Sequence, residues 1–269
     1  MTAKPSDAKQ MTSECFAYRN VNESPEIRSY PSLAELSHAA AEFICELAEA
    51  SIKERNVFTL VLSGGSTPRL LYEDLARPPF STRIDWQKTH IFWGDERCVP
   101  PNHPDSNYGL ALQTLVSKVN IPPANVHRIP AEIGSANAAA EAYEETLHHF
   151  FAPSAGNEDG THLPSFDLIL LGLGEDGHTA SLFPGDAALE EKYRWVAPVD
   201  GASASPPVPR VTLTLPVLNE AKWVVFLASG SRKKGVFEKI INDPGAAAYP
   251  AARVRPSGRL LWFIDEWLV

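Results

Sequence analysis

The chain has 269 residues, 44% of them hydrophobic, and its formal net charge at pH 7 is −9. A chain of this length can bury a sizeable core, and its acidic balance argues against binding to nucleic acid or to an anionic membrane surface. No stretch reaches the roughly 18 to 20 apolar residues that span a bilayer. We therefore expect a cytoplasmic protein without nucleic-acid or membrane partners, in which a local group of cations meets any anionic ligand.

The polar segment over residues 1–13 lacks the apolar region of a signal peptide, and we expect it to be disordered. The three cysteines, Cys15, Cys45 and Cys98, are far apart and have no Cys-x-x-Cys or Cys/His ligand spacing. This pattern argues against a disulfide framework and against a zinc site. A reducing compartment and a protein without a bound metal are the resulting expectations.

Apolar strands and amphipathic helices alternate along the rest of the chain. The strand pattern falls on Val57–Leu62, Thr89–Trp93, Leu168–Leu171, Arg194–Val199, Arg210–Pro216, Lys222–Ala228 and Arg259–Ile264. The helical pattern falls on Leu33–Ala50, Arg69–Leu75, Leu110–Val119, Ala136–Phe151 and Val236–Ile241. Such alternation predicts an α/β fold with a mostly parallel, Rossmann-like open sheet flanked by helices on both faces, and residues 14–269 are expected to form one domain.

A glycine-rich loop separates the first of these strands from the helix that follows it. The loop consists of Ser63, Gly64, Gly65, Ser66 and Thr67, and Pro68 then suits the first turn of the helix. Backbone N–H groups that converge at a helix N-terminus can hold a phosphate, although this loop lacks the lysine of a P-loop. The alternative is an ordinary strand-to-helix turn, so the loop by itself leaves both interpretations open.

Cations follow two other strands at the points where these strands end. Arg97 comes shortly after the second predicted strand, and the basic run Arg232, Lys233 and Lys234 comes after the sixth. The carboxyl ends of parallel strands meet at one edge of a sheet, where open α/β folds bind their ligands. A guanidinium there can bind a phosphate or a carboxylate. The alternatives are a salt bridge within the loop of Arg97 and a solvated basic face at the second turn.

The segment that follows the buried strand Leu168–Leu171 carries an acid and a histidine between glycines. The imidazole of His178 can act as a neutral base near pH 7, and Gly177 allows the backbone to approach a ligand closely. Asp176 can orient the imidazole or cap a short helix that begins near His178, and the sequence leaves both roles open. We predict His178 and Asp176 as the catalytic residues.

The same segment, Gly172-Leu-Gly-Glu-Asp-Gly177, also matches the Gly-x-Gly-x-x-Gly pattern of dinucleotide-binding proteins. That pattern needs a helix of several turns directly after its third glycine, whereas Pro184 and Gly185 end any helix here within about two turns. Glu175 and Asp176 also place negative charge where a pyrophosphate would lie. Nicotinamide or flavin chemistry is therefore disfavoured. The sequence also has no Gly-x-Ser-x-Gly motif and no metal-ligand spacing, so base-assisted attack by water is favoured over covalent and metal-assisted hydrolysis, and no cofactor is expected.

Taken together, these motifs resemble those of the 6-phosphogluconolactonase family, in the superfamily that includes glucosamine-6-phosphate deaminase. The resemblance rests on Ser63-Gly-Gly-Ser-Thr-Pro68, Trp93-Gly-Asp-Glu-Arg97, Ser106-Asn-Tyr108, Gly172-Leu-Gly-Glu-Asp-Gly-His-Thr-Ala-Ser-Leu-Phe-Pro-Gly185, Arg210-Val-Thr-Leu-Thr-Leu-Pro216 and Ala252-Arg-Val-Arg-Pro256. It implies cofactor-free hydrolysis of 6-phospho-D-glucono-1,5-lactone, a carboxylic ester hydrolase reaction of the oxidative pentose phosphate pathway. His178 resembles the family's base, while Arg97 and the Arg232 turn, with Lys234 as the second cation, resemble its phosphate contacts.

Two other functions stay open at this point. Deaminase relatives tend to follow the Asp-Gly-His core with Ile-Ala-Phe-Asn-Glu, where this chain has Thr179-Ala-Ser-Leu-Phe183, and this difference favours the lactonase over deaminase-like aldose/ketose chemistry. A sugar-phosphate-binding protein without catalytic activity would carry the same phosphate-binding loops. The expected partner is a small phosphosugar lactone, and a monomer or weak homodimer is expected.

Overall fold

The structure is a computed structural model that describes residues 25–151, 163–243 and 246–268, so the predicted disorder of residues 1–13 lies outside the described residues. Within these ranges the strands are β1 (Glu26–Tyr30), β2 (Phe58–Leu62), β3 (Thr89–Trp93), β4 (Asp95–Arg97), β5 (Val126–His127), β6 (Leu168–Gly172), β7 (Val196–Val199), β8 (Arg210–Leu213), β9 (Trp223–Ala228) and β10 (Arg259–Asp265). The helices are α1 (Leu33–Arg55), α2 (Thr67–Leu75), α3 (Phe80–Arg83), α4 (Asn107–Thr114), α5 (Ala136–Phe151), α6 (Leu215–Asn219) and α7 (Lys234–Asn242). None of the helices in these ranges combines the length and the apolar character needed to cross a membrane.

Seven of the described strands form one sheet in the order β1-β10-β9-β6-β2-β3-β5. Every pairing in this sheet is parallel. Strands β2, β6 and β9 are buried along nearly their whole length, as expected for strands of a parallel sheet that is covered on both faces. The predicted α/β class, with a mostly parallel open sheet flanked by helices, is therefore confirmed.

A second, smaller sheet contains β4, β8 and β7 in that order, and its pairings are antiparallel. Gly94 alone separates β3 from β4, so the chain passes directly from one sheet to the other. The sequence analysis places Asp95–Arg97 in the loop that follows β3, whereas the structure forms the short strand β4 there. Asp95 and Glu96 are buried. Backbone N–H groups at the start of α4 donate to the carboxylate of Glu96, and the hydroxyl of Ser181 donates to that of Asp95.

Several predicted boundaries differ from the structure. Strand β1 is missing from the prediction, since its five residues alternate only between half-buried and exposed positions. The predicted strand Arg210–Pro216 ends at Leu213, and its proline lies at the start of α6, where the fixed φ of proline suits a first helical turn. The predicted helix Leu110–Val119 is replaced by α4, which begins three residues earlier because Ser106 caps it.

At the amino-terminal edge of the large sheet, the buried carboxylate of Asp167 joins neighbouring strands. It accepts hydrogen bonds from the backbone N–H and the hydroxyl of Thr59 at 2.9 and 3.1 Å, and it forms ion pairs with Arg55 and Lys222. A buried charge is tolerated when it is paired and hydrogen-bonded in this way. The contacts hold the starts of β2, β6 and β9 together at the edge opposite to their carboxyl ends.

Two histidines face each other on the neighbouring strands β3 and β5. Nδ1 of His90 lies 3.0 Å from Nε2 of His127, and the ring of His127 stacks on Phe92. Burial lowers the pKa of both imidazoles, and the neighbouring His90 helps to lower the pKa of His127 to about 4. Both rings are therefore neutral in the folded protein at pH 7.

We predict that His127 makes the folded state sensitive to acid. Between pH 6.5 and about 4 the unfolded chain binds a proton at His127 that the folded chain excludes, so the free energy of unfolding falls as the pH is lowered through this window. His127→Gln keeps a hydrogen-bonding side chain but cannot titrate, and it should make the pH dependence shallower. Urea denaturation at several pH values between about 7.5 and 5 measures this effect, and equal slopes in the wild type and the variant would rule it out.

Candidate active site

A cavity of about 450 Å³ opens at the carboxyl ends of β2, β6 and β9. Its lining consists of residues 63–68, Asp95, Arg97, Asn107, residues 172–176, His178, Ala180, Phe183, Ser203, Ser205, Arg210 and Lys233. The structure thus brings the glycine-rich loop, Arg97, Asp176 and His178 into one space. Gly177, Arg232 and Lys234, which the sequence analysis also places at the site, are not among the described residues that line it.

His178 and Asp176 lie side by side in the turn that follows β6. Nδ1 of the imidazole lies 2.6 Å from Oδ1 of Asp176, and the same oxygen accepts the backbone N–H of His178 at 3.1 Å. Because an ionised carboxylate only accepts hydrogen bonds, this contact places the proton of the neutral ring on Nδ1 and leaves Nε2 unprotonated. The arrangement is that of a base whose tautomer is fixed by a carboxylate.

The hydrogen bonds between the two residues also act on the acid. Burial tends to raise the pKa of Asp176, but the hydrogen bonds from the imidazole and the backbone N–H of His178 outweigh burial, so this pKa lies below its ordinary value. Asp176 is therefore ionised at neutral pH. Its negative charge stabilises the positive charge that the imidazole gains when it accepts a proton.

No helix begins at His178 within the described segment 163–243, so the predicted short helix is wrong. Residues 173–186 form turns, with a single bridge between Thr179 and Leu182. The helix-capping role considered for Asp176 therefore does not apply, and the helix that a dinucleotide site requires after Gly177 is absent from this segment. Among the described residues, no group of three or more His, Cys, Asp or Glu side chains is arranged to hold a metal ion.

Tyr72 of α2 holds the glycine-rich loop in place. The tyrosine hydroxyl accepts the N–H of Ser63 at 3.0 Å and donates to the carbonyl of Ser63 at 2.6 Å, whereas the buried Ser63 hydroxyl has no hydrogen-bond partner within the described ranges. Gly64 must lack a side chain, because an added Cβ would lie 1.8 Å from Oδ1 of Asn107. Since α2 begins at Thr67, the loop lies at a helix N-terminus, where backbone N–H groups and the helix dipole favour an anion.

Neutral oxygen atoms hold Arg97 at the cavity. Its Nη1 donates at 2.8 Å both to the carbonyl of Asp105 and to Oδ1 of Asn107, and its Nε has no hydrogen-bond partner in the described chain. The carboxylate of the neighbouring Glu96 instead accepts three backbone N–H groups and the hydroxyl of Ser106. The loop salt bridge considered as the alternative is therefore not formed by Glu96, and the guanidinium keeps donor capacity for a ligand.

The basic turn after β9 brings Lys233 to the cavity lining, and not Arg232 or Lys234. The side chain of Arg232 is 84% exposed and its Nε lies 3.1 Å from Glu175, while Nζ of Lys234 lies 4.0 Å from Glu238 on α7. Burial lowers the pKa of Lys233, although nearby carboxylates act to raise it. The sequence favours Lys234 and leaves Arg232 and Lys233 unranked, because the short 3₁₀ turn Ser231–Lys233 decides which side chain faces the cavity.

Two contacts outside the cavity hold these loops in position. The buried carboxylate of Asp265, at the end of β10, accepts the hydroxyl of Ser229 at 2.5 Å and the N–H of Gly230 at 3.2 Å. Gly177 has a φ of +83° and packs against Tyr249, whose Cδ1 would lie 2.4 Å from an added Cβ. Packing beneath the turn therefore explains the glycine at 177 without a contact to a ligand.

Arg210 of β8 also lines the cavity, although the sequence analysis does not include it among the site residues. It is only 3% exposed, and the pairing of β8 with β4 places it directly opposite Arg97. The signal in the sequence that could have identified Arg210 as a site residue was its position as a charged residue at the start of a strand whose apolar residues alternate. The pairing that brings this residue to the cavity is a tertiary contact, which neither strand reveals by itself.

The family model for "Glucosamine-6-phosphate isomerases/6-phosphogluconolactonase" matches residues 31–262 of the chain. A protein named probable 6-phosphogluconolactonase 1, from Arabidopsis thaliana, is 43% identical over 247 residues, which cover 90% of this chain and 91% of the relative. A 6-phosphogluconolactonase from Synechocystis is 43% identical over 219 residues, with 80% and 85% of the two chains covered. Among solved structures, 6-phosphogluconolactonase from Trypanosoma cruzi superimposes with a TM-score of 0.81 at 34% identity, over 91% of this chain and 96% of that one.

We predict that Gly174→Ala breaks the contact between Asp176 and His178. An added Cβ would lie 2.1 Å from Nδ1 of His178 and 2.6 Å from Oδ1 of Asp176, so the two side chains cannot keep their positions. Gly172→Ala is the matched control, because a Cβ there meets no atom within 4 Å. The ¹⁵N chemical shifts of the His178 ring report its tautomer. The Nδ1–H form should dominate in the wild type and the control, and its persistence in Gly174→Ala would contradict the prediction.

Proposed function

We propose, from the premise that this chain belongs to the family of glucosamine-6-phosphate isomerases and 6-phosphogluconolactonases, that it hydrolyses 6-phospho-D-glucono-1,5-lactone to 6-phospho-D-gluconate. This is the second step of the oxidative pentose phosphate pathway, and relatives named for it are 43% identical to this chain. The observation that carries the proposal is the shared cavity, in which a glycine-rich loop at a helix N-terminus lies in the same lining as the imidazole of His178, whose Nδ1 contacts Asp176. Reaction without a cofactor, in the cytoplasm and by a monomer or weak homodimer, is part of the same proposal.

The phosphate of the substrate binds, in this proposal, between the glycine-rich loop and the basic turn. The backbone N–H groups of residues 63–67 and the hydroxyl of Ser63 supply donors at the N-terminus of α2. Lys233 supplies a positive charge from the loop after β9. A dianion needs both kinds of group in a protein whose net charge is −9.

Hydrolysis then requires one base that later acts as an acid. Nε2 of His178 takes a proton from water while the water oxygen bonds to lactone C1, and Asp176 stabilises the imidazolium that forms. The tetrahedral intermediate collapses by breaking the bond between C1 and the ring oxygen, and the imidazolium returns its proton to that oxygen. General-base catalysis contributes about 10²–10⁴-fold, which is sufficient because the lactone also opens spontaneously.

One assay separates this function from the two alternatives. The lactone is generated in the cuvette, and its loss is followed by pH-stat or by coupled oxidation of 6-phosphogluconate, with the spontaneous rate subtracted. A deaminase-like enzyme would instead release ammonia from glucosamine 6-phosphate. A binding protein would bind phosphosugars without accelerating loss of the lactone, and either result would overturn the proposal.

We predict that His178→Asn lowers kcat by about 10²–10⁴-fold with little change in KM, because it removes the base and leaves the phosphate contacts in place. Asp176→Asn should also lower kcat, since a neutral amide neither fixes the tautomer of His178 nor stabilises the imidazolium. Steady-state kinetics of both variants measure these effects, and thermal unfolding checks that each variant is folded. A folded His178→Asn protein with wild-type kcat would show that another group acts as the base.

Lys233 and Lys234 offer a matched pair of variants for the phosphate contact. We predict that Lys233→Gln raises KM by at least about tenfold, a loss of about 1.4 kcal/mol of binding free energy, with a smaller effect on kcat. Lys234→Gln should change KM much less, because Lys234 does not contribute to the described cavity lining. Steady-state kinetics of the two variants measure KM. A larger increase in KM for Lys234→Gln than for Lys233→Gln would assign the phosphate contact to Lys234, the residue that the sequence analysis favours.

A further inference from the structure

Two arginines of the small sheet face each other at the cavity. Arg97 on β4 and Arg210 on β8 are direct partners in the antiparallel register, and both line the cavity. Like charges directly opposite each other destabilise a sheet. An anion that binds to both guanidinium groups would remove this repulsion.

Arg210 is buried without full use of its donors. The residue is 3% exposed, its Nη2 donates to the carbonyl oxygens of Ser205 and Pro206 at 3.1 and 3.2 Å, and its Nε has no hydrogen-bond partner among the described residues. The Nε of Arg97 is buried and unpartnered within the same ranges. A buried donor without a partner is unfavourable for the folded protein. Both arginines line the cavity, so an anion bound between them would satisfy donors that the described protein leaves unpaired.

The carboxylate of Asp95 at this cavity is already engaged by neutral donors. Its Oδ2 accepts the hydroxyl of Ser181 at 2.6 Å, and its Oδ1 accepts the side-chain amide of Asn107 at 3.2 Å. The hydrogen bonds found for Arg97 and Arg210 likewise end on neutral oxygen atoms. Both guanidinium groups therefore have hydrogen-bonding capacity for an external anion.

Arg210 lies at the reacting end of the cavity. Its guanidinium carbon is 5.6 Å from the centroid of the Phe183 ring, and the same ring lies 4.7 Å from the imidazole of His178, centroid to centroid. One aromatic side chain thus contacts both the proposed base and the second arginine. The phosphate contacts proposed above come from other loops, those that follow β2 and β9.

We infer that Arg97 and Arg210 together form a second anion subsite, which binds the negative charge that hydrolysis creates at C1. This inference rests on the proposed function, since the lactone is uncharged at C1 whereas the tetrahedral intermediate carries an oxyanion and the product a carboxylate. Arg210 is therefore a further catalytic residue. Donors aimed at a charge that appears during the reaction lower the barrier, and removal of one such donor typically lowers kcat by about 10²–10³-fold.

Two ligands of the same length test this assignment. 6-Phosphogluconate carries the carboxylate, and glucitol 6-phosphate has a hydroxymethyl group in its place. The wild-type protein should bind 6-phosphogluconate more tightly than glucitol 6-phosphate in calorimetric titrations. Arg210→Gln should reduce this preference by at least about tenfold. Lys233→Gln should lower the binding affinity for both ligands by a similar factor, so the preference should stay the same.

The same comparison distinguishes an anion contact from a structural role. If Arg210 only held the loop that contains Ser205 and Pro206, Arg210→Gln would lower the binding affinity for both ligands by the same factor. That result would show that the inference is wrong. Arg210→Lys keeps the charge in case the glutamine variant does not fold, and it should retain a reduced preference and a reduced kcat. An unchanged preference and kcat in Arg210→Lys and in Arg97→Gln would also overturn the subsite.

Failure of the proposed function would give a different result. A wild-type protein that binds neither ligand and does not accelerate loss of the lactone would overturn the lactonase assignment, and the subsite with it. A wild-type protein that hydrolyses the lactone but shows no preference for the carboxylate would overturn only the subsite.

Discussion

The parallel pairing of β6 with β2 on one side and β9 on the other is the constraint on which the site depends. Because the three strands run in one direction, the glycine-rich loop, the His178 turn and the Lys233 turn leave the sheet at the same edge, although they lie far apart in the sequence. The ion pairs of Asp167 with Arg55 and Lys222 hold these strands at the opposite edge. A shift of one residue in this register would turn the buried side chains of β6 to the other face of the sheet. The His178 turn, which follows β6, would then be displaced from the other two turns.

The electrostatics of the cavity follow from how its charged groups are held. Glu96 lies next to Arg97 in the sequence, yet its carboxylate is satisfied by backbone N–H groups and a hydroxyl. The buried hydroxyl of Ser63 and the Nε atoms of Arg97 and Arg210 have no partner within the described chain. The guanidinium groups of Arg97 and Arg210 are already held by their hydrogen bonds to neutral oxygen atoms, so little free energy is lost in reorganising them when an anion binds. An acidic protein can in this way offer an anion site without a high overall positive charge.

The parts of the fold and site that could be predicted from the sequence are those set by local pattern. Apolar runs followed by glycine-rich or charged turns indicate buried strands and their carboxyl ends, which is why the cavity contains the predicted loop, Arg97 and His178. The contribution of Arg210 depends on the pairing of β4 with β8, a contact between distant segments that has no local signal. The choice of Lys233 over its neighbours depends on a single 3₁₀ turn, and one residue of helical rotation there changes which side chain faces the cavity.

In the proposed reaction the two sheets make different contributions, and Gly94 lies at the junction between them. Its N–H donates to the carbonyl of Leu62 at the end of β2 at 3.0 Å, and its carbonyl accepts the N–H of Leu213 on β8 at 2.8 Å. The proposed phosphate contacts come from loops of the large sheet. Such contacts are the same in the substrate and in the transition state, so they strengthen binding without accelerating the reaction. The inferred anion subsite comes from the small sheet, at the end where charge would develop, and such contacts lower the barrier because they strengthen only as that charge appears. The backbone hydrogen bonds of Gly94 therefore connect the two ends of the proposed site, and the position of one sheet relative to the other sets the distance between the bound phosphate and the carbon that water attacks.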